Sequence, residues 1–301
     1  MRQVSGLNES MIFQTIRSVL FFLIVATGYS EYIVPDIVHY IQLENPYLEF
    51  VTLLSMLSAV RHHRPKVILV HSDRRSLRGK YWEHLLRVVN ESSQAEALSE
   101  KTIIRLNHIR RPKYVFGRKL SSVYHASDIA RMKVLRAYGG IYLDNDVYVV
   151  QSLHRFRRFE FAIGWPEGQF LGKACPLSIS HFPSPSSSSS SSSTPGTQVL
   201  ACHRNARFLR LWHQSYRSYR PTLWYFNAGE LPTTSILVLR PQLVHREKTA
   251  FGVHFLLPML YQKQLSSSDP DWQRQFYAVH LLARHRPHDA TRQYLNEDNI
   301  R

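Results

Sequence analysis

The chain has 301 residues, 44% of them hydrophobic, which is enough to bury a full core in one large domain or two small ones. Lys and Arg number 38 against 22 acidic residues, and the net charge of +16 favours phosphate-bearing partners and anionic membrane surfaces. The basic residues are scattered, without a basic arm or a zinc-finger spacing, which argues against a dedicated nucleic-acid-binding protein. Two cysteines, Cys175 and Cys202, exclude a disulfide framework and leave open whether they pair.

Residues 1–33 contain a short apolar run, from Val19 to Ala26, that follows Arg2 and Arg17. The run is shorter than a membrane span but about right for a signal-peptide core. We therefore predict a signal-peptide-like or weak signal-anchor segment, with membrane association through it and a place in the secretory pathway, in the Golgi lumen or membrane. The alternative is a buried strand or short helix, which would make the protein cytoplasmic.

The next segments predict a strand, a helix and a strand. Residues 35–41 and 66–71 have the apolar composition of buried strands, and residues 48–58 carry apolar side chains at helical spacing. This order implies a parallel sheet, and nucleotide sites lie at the carboxyl ends of such strands. Residues 85–100 are polar and receive no assignment, whereas residues 101–106 predict another strand.

A helix is predicted to begin at Ser127 as N-cap and to end at Gly139 and Gly140, which tolerate positive φ. A short strand, Ile-Tyr-Leu, follows directly. Asp144 and Asp146 thus emerge where a buried strand ends, which favours a ligand site over a solvated charge pair.

The later part of the chain contains a serine tract in residues 181–196, bracketed by prolines, which predicts a disordered surface insertion. A helix is predicted over residues 199–219, a late strand over residues 235–239 and a last apolar element over residues 276–281. Residues 287–301 form a polar tail.

The aspartates supply the chemistry. Two carboxylates one residue apart can face one Mg²⁺ or Mn²⁺ ion, which would bridge a nucleotide diphosphate and offset the charge that grows on it as it departs. Asp128 and Arg131 are three positions apart and share a helix face, so they can grip a sugar hydroxyl or phosphate together. The alternative for this pair is an ordinary helix ion pair.

Two other aspartate motifs fit the sequence less well. An EF-hand loop requires glycine at its sixth position, where Val149 stands. A phosphatase of the haloacid dehalogenase type expects Thr or Val where Tyr148 stands.

The run from His125 to Val150 joins Ser-Asp-x-x-Arg, Tyr-Gly-Gly and Tyr-x-Asp-x-Asp. It resembles the sugar-binding region of the retaining DXD-motif glycosyltransferases, which include yeast initiation mannosyltransferases, animal α-1,4-galactosyl- and N-acetylglucosaminyltransferases and clostridial glucosylating toxins. The resemblance extends over residues 34–286 as a catalytic domain. It implies an α/β fold of the GT-A type, with a mostly parallel central sheet flanked by helices, and a Mn²⁺ (or Mg²⁺) cofactor.

The resemblance also implies roles for individual residues. Asp144, Asp146 and Arg131 would be catalytic, and His280 would complete the metal site with the two aspartates. The alternative for His280 is a satisfied core histidine. The donor sugar would be bound by Asp128, Arg131, Tyr142, Gly139 and Gly140.

Two features concern the nucleotide base and the acceptor. Gln42 stands where many members of the family have Trp, which leaves base stacking open. Trp224, Asn227 and Glu230 combine an aromatic ring with polar groups, as a sugar acceptor platform does, although a packed aromatic loop has the same composition.

The predicted function is retaining transfer of a hexose or N-acetylhexosamine to a glycan, glycolipid or protein acceptor. The donor is a nucleotide sugar, with a UDP-sugar favoured and GDP-mannose as the alternative. Two further hypotheses stay open: an inactive homologue that only binds nucleotide sugars or carbohydrates, and a basic nucleic-acid-binding protein.

Overall fold

A computed structural model describes residues 31–95, 101–165, 169–170, 173–174, 197–252 and 272–281. The predicted serine-rich insertion, the polar tail and all but the last three residues of the N-terminal segment lie outside these residues, as does Cys175. Within the part of the chain that the structure describes, no helix combines the length and the apolarity that a bilayer crossing requires.

Thirteen strands and five α-helices make up the described fold. The strands are β1 (Ile37–Gln42), β2 (Val67–Ser72), β3 (Ile103–His108), β4 (Tyr114–Val115), β5 (Arg118–Lys119), β6 (Gly140–Leu143), β7 (Val147–Val149), β8 (Phe161–Gly164), β9 (Gln169–Phe170), β10 (Lys173–Ala174), β11 (Val199–Cys202), β12 (His245–Glu247) and β13 (Ala278–His280). The helices are α1 (Phe50–Ser58), α2 (Lys80–Ala95), α3 (Val123–Tyr138), α4 (Arg207–Ser215) and α5 (Trp272–Gln275). Six short 3₁₀ or π turns complete the description: Ala59–His63, His154–Arg158, Tyr216–Ser218, Phe226–Glu230, Thr233–Leu237 and Pro241–Leu243.

The central sheet has seven strands in the order β12-β8-β11-β6-β1-β2-β3. All neighbouring pairs are parallel except those that β11 makes with β6 and β8. The predicted strand-helix-strand unit is confirmed as β1, α1 and β2. The α/β class with a mostly parallel sheet is confirmed as well.

The sheet is buried on both faces because successive side chains of a strand point in opposite directions. In β6, Ile141 and Leu143 belong to one apolar cluster, whereas Tyr142 belongs to the other. The first cluster is shared with α1 and α2, and the second with α3 and α4. The strand ends are thereby fixed from above and below, which makes them a rigid base for a site.

Helix α3 begins earlier than predicted. Ser122, not Ser127, is its N-cap: the Ser122 side chain accepts a hydrogen bond from the His125 backbone N–H. Ser127 lies in the second turn, so the prediction of its capping role was wrong. The predicted end is confirmed, since Gly139 follows the last helical residue with φ at 67°.

Two other predictions were wrong, and one stretch without an assignment is helical. The apolar run that starts at Val199 is strand β11, because its backbone pairs with both β6 and β8, and the helix begins only at Arg207. Residues 235–239 do not form a strand: Thr233–Leu237 is a helical turn, and Leu239 is 73% exposed. The polar residues that received no assignment lie largely in α2.

A hydrogen-bonded histidine pair crosses the buried sheet. His39 Nε2 lies 2.6 Å from the carbonyl oxygen of Gly139, and its Nδ1 lies 2.9 Å from His71 Nε2. Asn107 Nδ2 lies 2.9 Å from His71 Nδ1. The pattern is satisfied when both imidazoles are neutral, each with its proton on Nε2.

These histidines predict acid sensitivity of the fold. Burial lowers the pKa of His39 to about 4, and burial together with the charge of His39 lowers the pKa of His71 to about 3. The unfolded chain, with histidine pKa values near 6.5, therefore binds more protons than the folded chain below that pH, so stability falls as the pH drops from about 6.5 towards 3. Relative to neutral pH, each of the two histidines lowers the free energy of unfolding at pH 5 by about 2 kcal/mol.

Urea unfolding at pH 7.5 and pH 5.0 measures this loss. A His71→Asn variant should lose less stability between the two pH values than the wild type does. Equal free energies of unfolding at both pH values in the wild type would contradict the neutral pair.

Candidate active site

The turn Asp144-Asn145-Asp146 connects β6 to β7 at the carboxyl end of the parallel strands. The Asp144 backbone N–H donates to the carbonyl oxygen of Gln198 at 2.9 Å. The Asn145 side-chain amide donates to the carbonyl oxygen of Ile41 at 3.1 Å. The turn is therefore tied to β1 and to the segment that leads into β11.

The two aspartates and His280 form a group that could hold a metal ion. Strand β13 pairs antiparallel with β7, with His280 opposite Val147, and His280 Nε2 lies 3.0 Å from Asp146 Oδ1. One ligand atom from each of Asp144, Asp146 and His280 lies within 4.8 Å of the other two. Two carboxylates and an imidazole suit a divalent cation such as Mn²⁺.

The charge around His280 agrees with a cation in this place. Burial by itself lowers the pKa of His280, but the carboxylates of Asp146 and Asp144 outweigh it, and the pKa is raised overall. His280 Nδ1 is buried and has no hydrogen-bond partner. The pocket therefore favours positive charge beside the two carboxylates.

Arg131 joins the helix to the aspartate turn. Its Nη2 lies 2.9 Å from Asp128 Oδ1 and 3.5 Å from Asp144 Oδ1, and its Nη1 donates to the backbone and hydroxyl oxygens of Thr197. The Tyr142 hydroxyl donates to Asp144 Oδ1 at 2.6 Å, and the guanidinium lies 4.6 Å from the Tyr142 ring centroid. Asp128 and Arg131 are thus an ion pair, and both also line the cleft described below.

Burial and neighbouring charges together shift the pKa values of these groups. It raises the pKa of the Tyr142 phenol, although Arg131 partly offsets the effect, so the hydroxyl keeps the proton that it donates. Burial lowers the pKa of Arg131, but Tyr142, Asp144 and Asp128 outweigh it and the guanidinium stays charged. Burial raises the pKa of Asp128, with Arg131 acting in the opposite direction.

A cleft of about 600 Å³ opens above these residues. Its lining includes six residues that were predicted to bind the donor or the metal, which are Asp128, Arg131, Tyr142, Asp144, Asp146 and His280. Gln42, Asn45, Glu49, Tyr124, Asn145 and Trp224 also contribute. The structure thus brings the predicted donor and metal residues together in one cavity, with the exception of Gly139 and Gly140.

Gly139 and Gly140 are not part of this lining. They lie at the start of β6, whereas Asp144 follows its end. A Cβ on Gly140, whose φ is 110°, would lie 2.5 Å from the carbonyl oxygen of Ile37. These glycines let α3 and β6 approach β1 closely, which is a packing role and differs from the predicted contact with the donor sugar.

Of the three residues predicted for the acceptor site, the structure places only one in the cleft lining. Trp224 lines the cleft and is 47% exposed. Asn227 is buried, with its Oδ1 accepting from the Arg220 backbone N–H at 2.8 Å, so it holds the loop. Neither Asn227 nor Glu230 is among the described residues that line the cleft.

Tyr124 also lines the cleft, and it was not predicted from the sequence. Its ring centroid lies 4.7 Å from that of Trp224, and it is 41% exposed in the cleft lining. It precedes Asp128 by four positions on α3, a spacing that places both on one helix face and could have indicated it.

A second group of possible metal ligands consists of Asp36, His63 and His154. Here the Arg157 guanidinium already lies 3.5 Å from Asp36 Oδ2 and 2.7 Å from His154 Nδ1. The Leu153 backbone N–H donates to His63 Nδ1, which places the imidazole proton on the nitrogen that faces Asp36. This group is better described as a buried ion pair with neutral histidines.

Comparisons with known proteins agree with this site. Residues 57–162 match the family model of a glycosyltransferase sugar-binding region containing the DXD motif. A relative, "Glucan organizing enzyme 1" of Cryptococcus neoformans var. grubii serotype A, is 24% identical over 202 residues, which cover 64% of this chain and 46% of that protein. The chain thus spans less than half the length of that relative.

Two solved structures match over most of the chain, both with TM-scores below 0.5. The PaToxG glycosyltransferase has a TM-score of 0.37 and 16% identity, covering 90% of this chain and 96% of that one. The galactosyltransferase LgtC, in complex with donor and acceptor sugar analogs, has a TM-score of 0.40 and 14% identity, covering 81% of this chain and 86% of that one.

The family match contains the motifs from Ser127 to Asp146 and confirms the resemblance that they predicted. That match covers residues 57–162, about a third of the chain, and is to the description of a glycosyltransferase sugar-binding region containing the DXD motif. In the described fold this region lies on a mostly parallel α/β sheet, as the resemblance to GT-A enzymes implied.

Proposed function

We propose that the chain is a metal-dependent glycosyltransferase. It would transfer a hexose or N-acetylhexosamine from a nucleotide sugar to a hydroxyl group of a glycan, glycolipid or protein, with retention of configuration. A UDP-sugar is the favoured donor and GDP-mannose the alternative. The observation that carries the proposal is the cleft in which Asp144, Asp146 and His280 lie beside the Asp128–Arg131 pair.

Asp144, Asp146 and His280 would hold Mn²⁺ or Mg²⁺. Such an ion, when bound, neutralises charge on a departing diphosphate. The remaining residues orient the donor: the Asp128 carboxylate can accept from sugar hydroxyls, and Arg131 can donate to a phosphate or hydroxyl oxygen. Tyr142 holds Asp144 Oδ1 through its hydroxyl, which leaves Asp144 Oδ2 for the cation. The name of the Cryptococcus relative supports a carbohydrate substrate.

Trp224 and Tyr124 form the proposed acceptor side of the cleft. Their exposed rings can stack on a pyranose, and the His125 side chain lies 3.1 Å from the carbonyl oxygen of Trp224 and holds the loop in place. Trp224→Ala should therefore lower transfer to an acceptor by about tenfold or more, corresponding to at least 1.4 kcal/mol, and leave donor hydrolysis by water within about twofold.

Product analysis with a UDP-sugar, Mn²⁺ and a panel of methyl hexosides separates transfer from hydrolysis. Leu223→Ala is the matched control, because Leu223 is 41% exposed in the same loop and does not line the cleft. Equal loss of hydrolysis and transfer in Trp224→Ala would place this residue on the donor side instead.

A screen of nucleotide sugars for Mn²⁺-dependent hydrolysis tests the enzyme proposal. Release of a nucleoside diphosphate from at least one donor is the expected result. Binding of a nucleotide sugar without any turnover would favour the inactive homologue. Steeply salt-dependent binding of nucleic acid, without binding of UDP, would favour the nucleic-acid hypothesis.

The secretory pathway, with the Golgi as destination, stays the proposed location, and residues 1–33 are the proposed signal or anchor. Removal of residues 1–33 from a tagged chain should redistribute it to the cytoplasm. An unchanged Golgi pattern after the removal would contradict the role of this segment.

A further inference from the structure

Asn145 stands between the two carboxylates, and its side chain points away from them to strand β1. Asn145 Nδ2 donates to the carbonyl oxygen of Ile41 at 3.1 Å and to Gln42 Oε1 at 3.0 Å. The Asn145 side-chain amide therefore donates both of its hydrogen bonds to the end of β1. The side chain is part of the support of the turn.

Gln42 is itself fixed in the orientation that Asn145 needs. It is 7% exposed, and its Nε2 donates to the carbonyl oxygens of Asn45 at 3.1 Å and Tyr47 at 3.2 Å. With both amide protons directed to these carbonyls, Oε1 is left as the acceptor for Asn145. One hydrogen-bonded chain therefore runs from the loop after β1 through Gln42 to the aspartate turn.

The neighbouring carboxylate residues are held differently. Asp144 is tied through its backbone N–H to Gln198, and the Asp146 carbonyl oxygen accepts from the Leu281 backbone N–H at 2.8 Å. Such backbone bonds persist whatever the side chain is. The tie to β1 depends on the Asn145 side chain, so a substitution there can release one edge of the turn without removing a ligand.

We propose that Gln42 and Asn145 are a positioning pair that aims the carboxylates of Asp144 and Asp146 at one cation. This inference rests on the proposed metal-dependent function. The Asn145 amide donates to Ile41 and Gln42, and the Gln42 amide donates to the loop after β1, so both side chains act through the turn. Outer partners of metal ligands typically contribute about 10-fold to 100-fold in metal affinity.

Titration of the purified full chain with Mn²⁺ alone, followed by electron paramagnetic resonance, measures the effect. Asn145→Ala and Gln42→Met should each raise the Mn²⁺ dissociation constant by about tenfold. The loss in the double variant should be smaller than the sum of the two single losses, because both substitutions remove the Asn145–Gln42 hydrogen bond. The melting temperature without metal reports the stability that the lost hydrogen bonds cost, and the Mn²⁺ affinity of the folded variants is the readout that a purely structural role would leave unchanged.

Asp144→Asn is the reference arm, since it removes a proposed ligand. Weaker Mn²⁺ binding in Asp144→Asn, with wild-type affinity in both Gln42→Met and Asn145→Ala, would overturn the positioning pair and leave the proposed function standing. Equal affinity in the wild type and Asp144→Asn would overturn the proposed metal site itself. Additive losses in the double variant would also overturn the pair. Should Asn145→Ala not fold, Asn145→Ser breaks the same bonds with a small polar side chain.

Discussion

Asp144→Asn should lower Mn²⁺-dependent turnover of the nucleotide sugar by at least about 100-fold, which is typical of the loss of one preorganised electrostatic group. The substitution is isosteric and keeps an oxygen that can accept from the Tyr142 hydroxyl, now 2.6 Å from Asp144 Oδ1. The fold should therefore persist. What is lost is the negative charge that holds the cation beside Asp146 and His280.

Steady-state kinetics and thermal unfolding, measured on the same preparation, check this result. Glu83→Gln provides the matched control, because Glu83 is an exposed carboxylate on α2. Its turnover should equal that of the wild type. Wild-type turnover in Asp144→Asn would remove this carboxylate from the reaction.

Arg131→Met should both abolish turnover and destabilise the fold. The guanidinium is 7% exposed and pairs with Asp128 at 2.9 Å, so its removal leaves a buried carboxylate without a counter-charge. Breaking a buried ion pair in this way costs about 3–5 kcal/mol. The hydrogen bonds to Thr197 are lost as well, which loosens the segment next to the aspartate turn.

Urea unfolding at pH 7.5 measures the loss, with Arg136→Met as control. Arg136 lies on the same helix but is exposed, so its replacement should change the free energy of unfolding by less than about 0.5 kcal/mol. Equal stability of the two variants would show that the Asp128–Arg131 pair carries little energy. Full turnover in Arg131→Met would remove Arg131 from the donor site.

Local spacing explains why the donor and metal residues could be predicted. Asp128 and Arg131 share a helix face, and Asp144 and Asp146 follow a strand, so each pair is placed by one element. The two pairs lie close together because β6, which leads to the aspartates, follows α3 directly in the chain. His280 came from the resemblance, and its role depends on the pairing of β13 with β7, which no local pattern contains.

The missed features depend on contacts between distant parts of the chain. The hydrogen bond from the Asn145 side chain to the Gln42 side chain joins residues 103 positions apart and has no sequence signature. Val199–Cys202 is a short apolar run, and such a run fits a buried strand as well as a buried helix. Its backbone pairing with β6 and β8 shows that it is a strand. Asn227 looked like a binding residue, but its amide is used to close its own loop.

Diffraction at the manganese absorption edge, from a crystal soaked with Mn²⁺ and UDP, tests the metal-bound cleft most directly. An anomalous peak within coordination distance of Asp144, Asp146 and His280 is the predicted result. A peak at the Asp36, His63 and His154 group, with none beside the aspartate turn, would contradict the proposed active site.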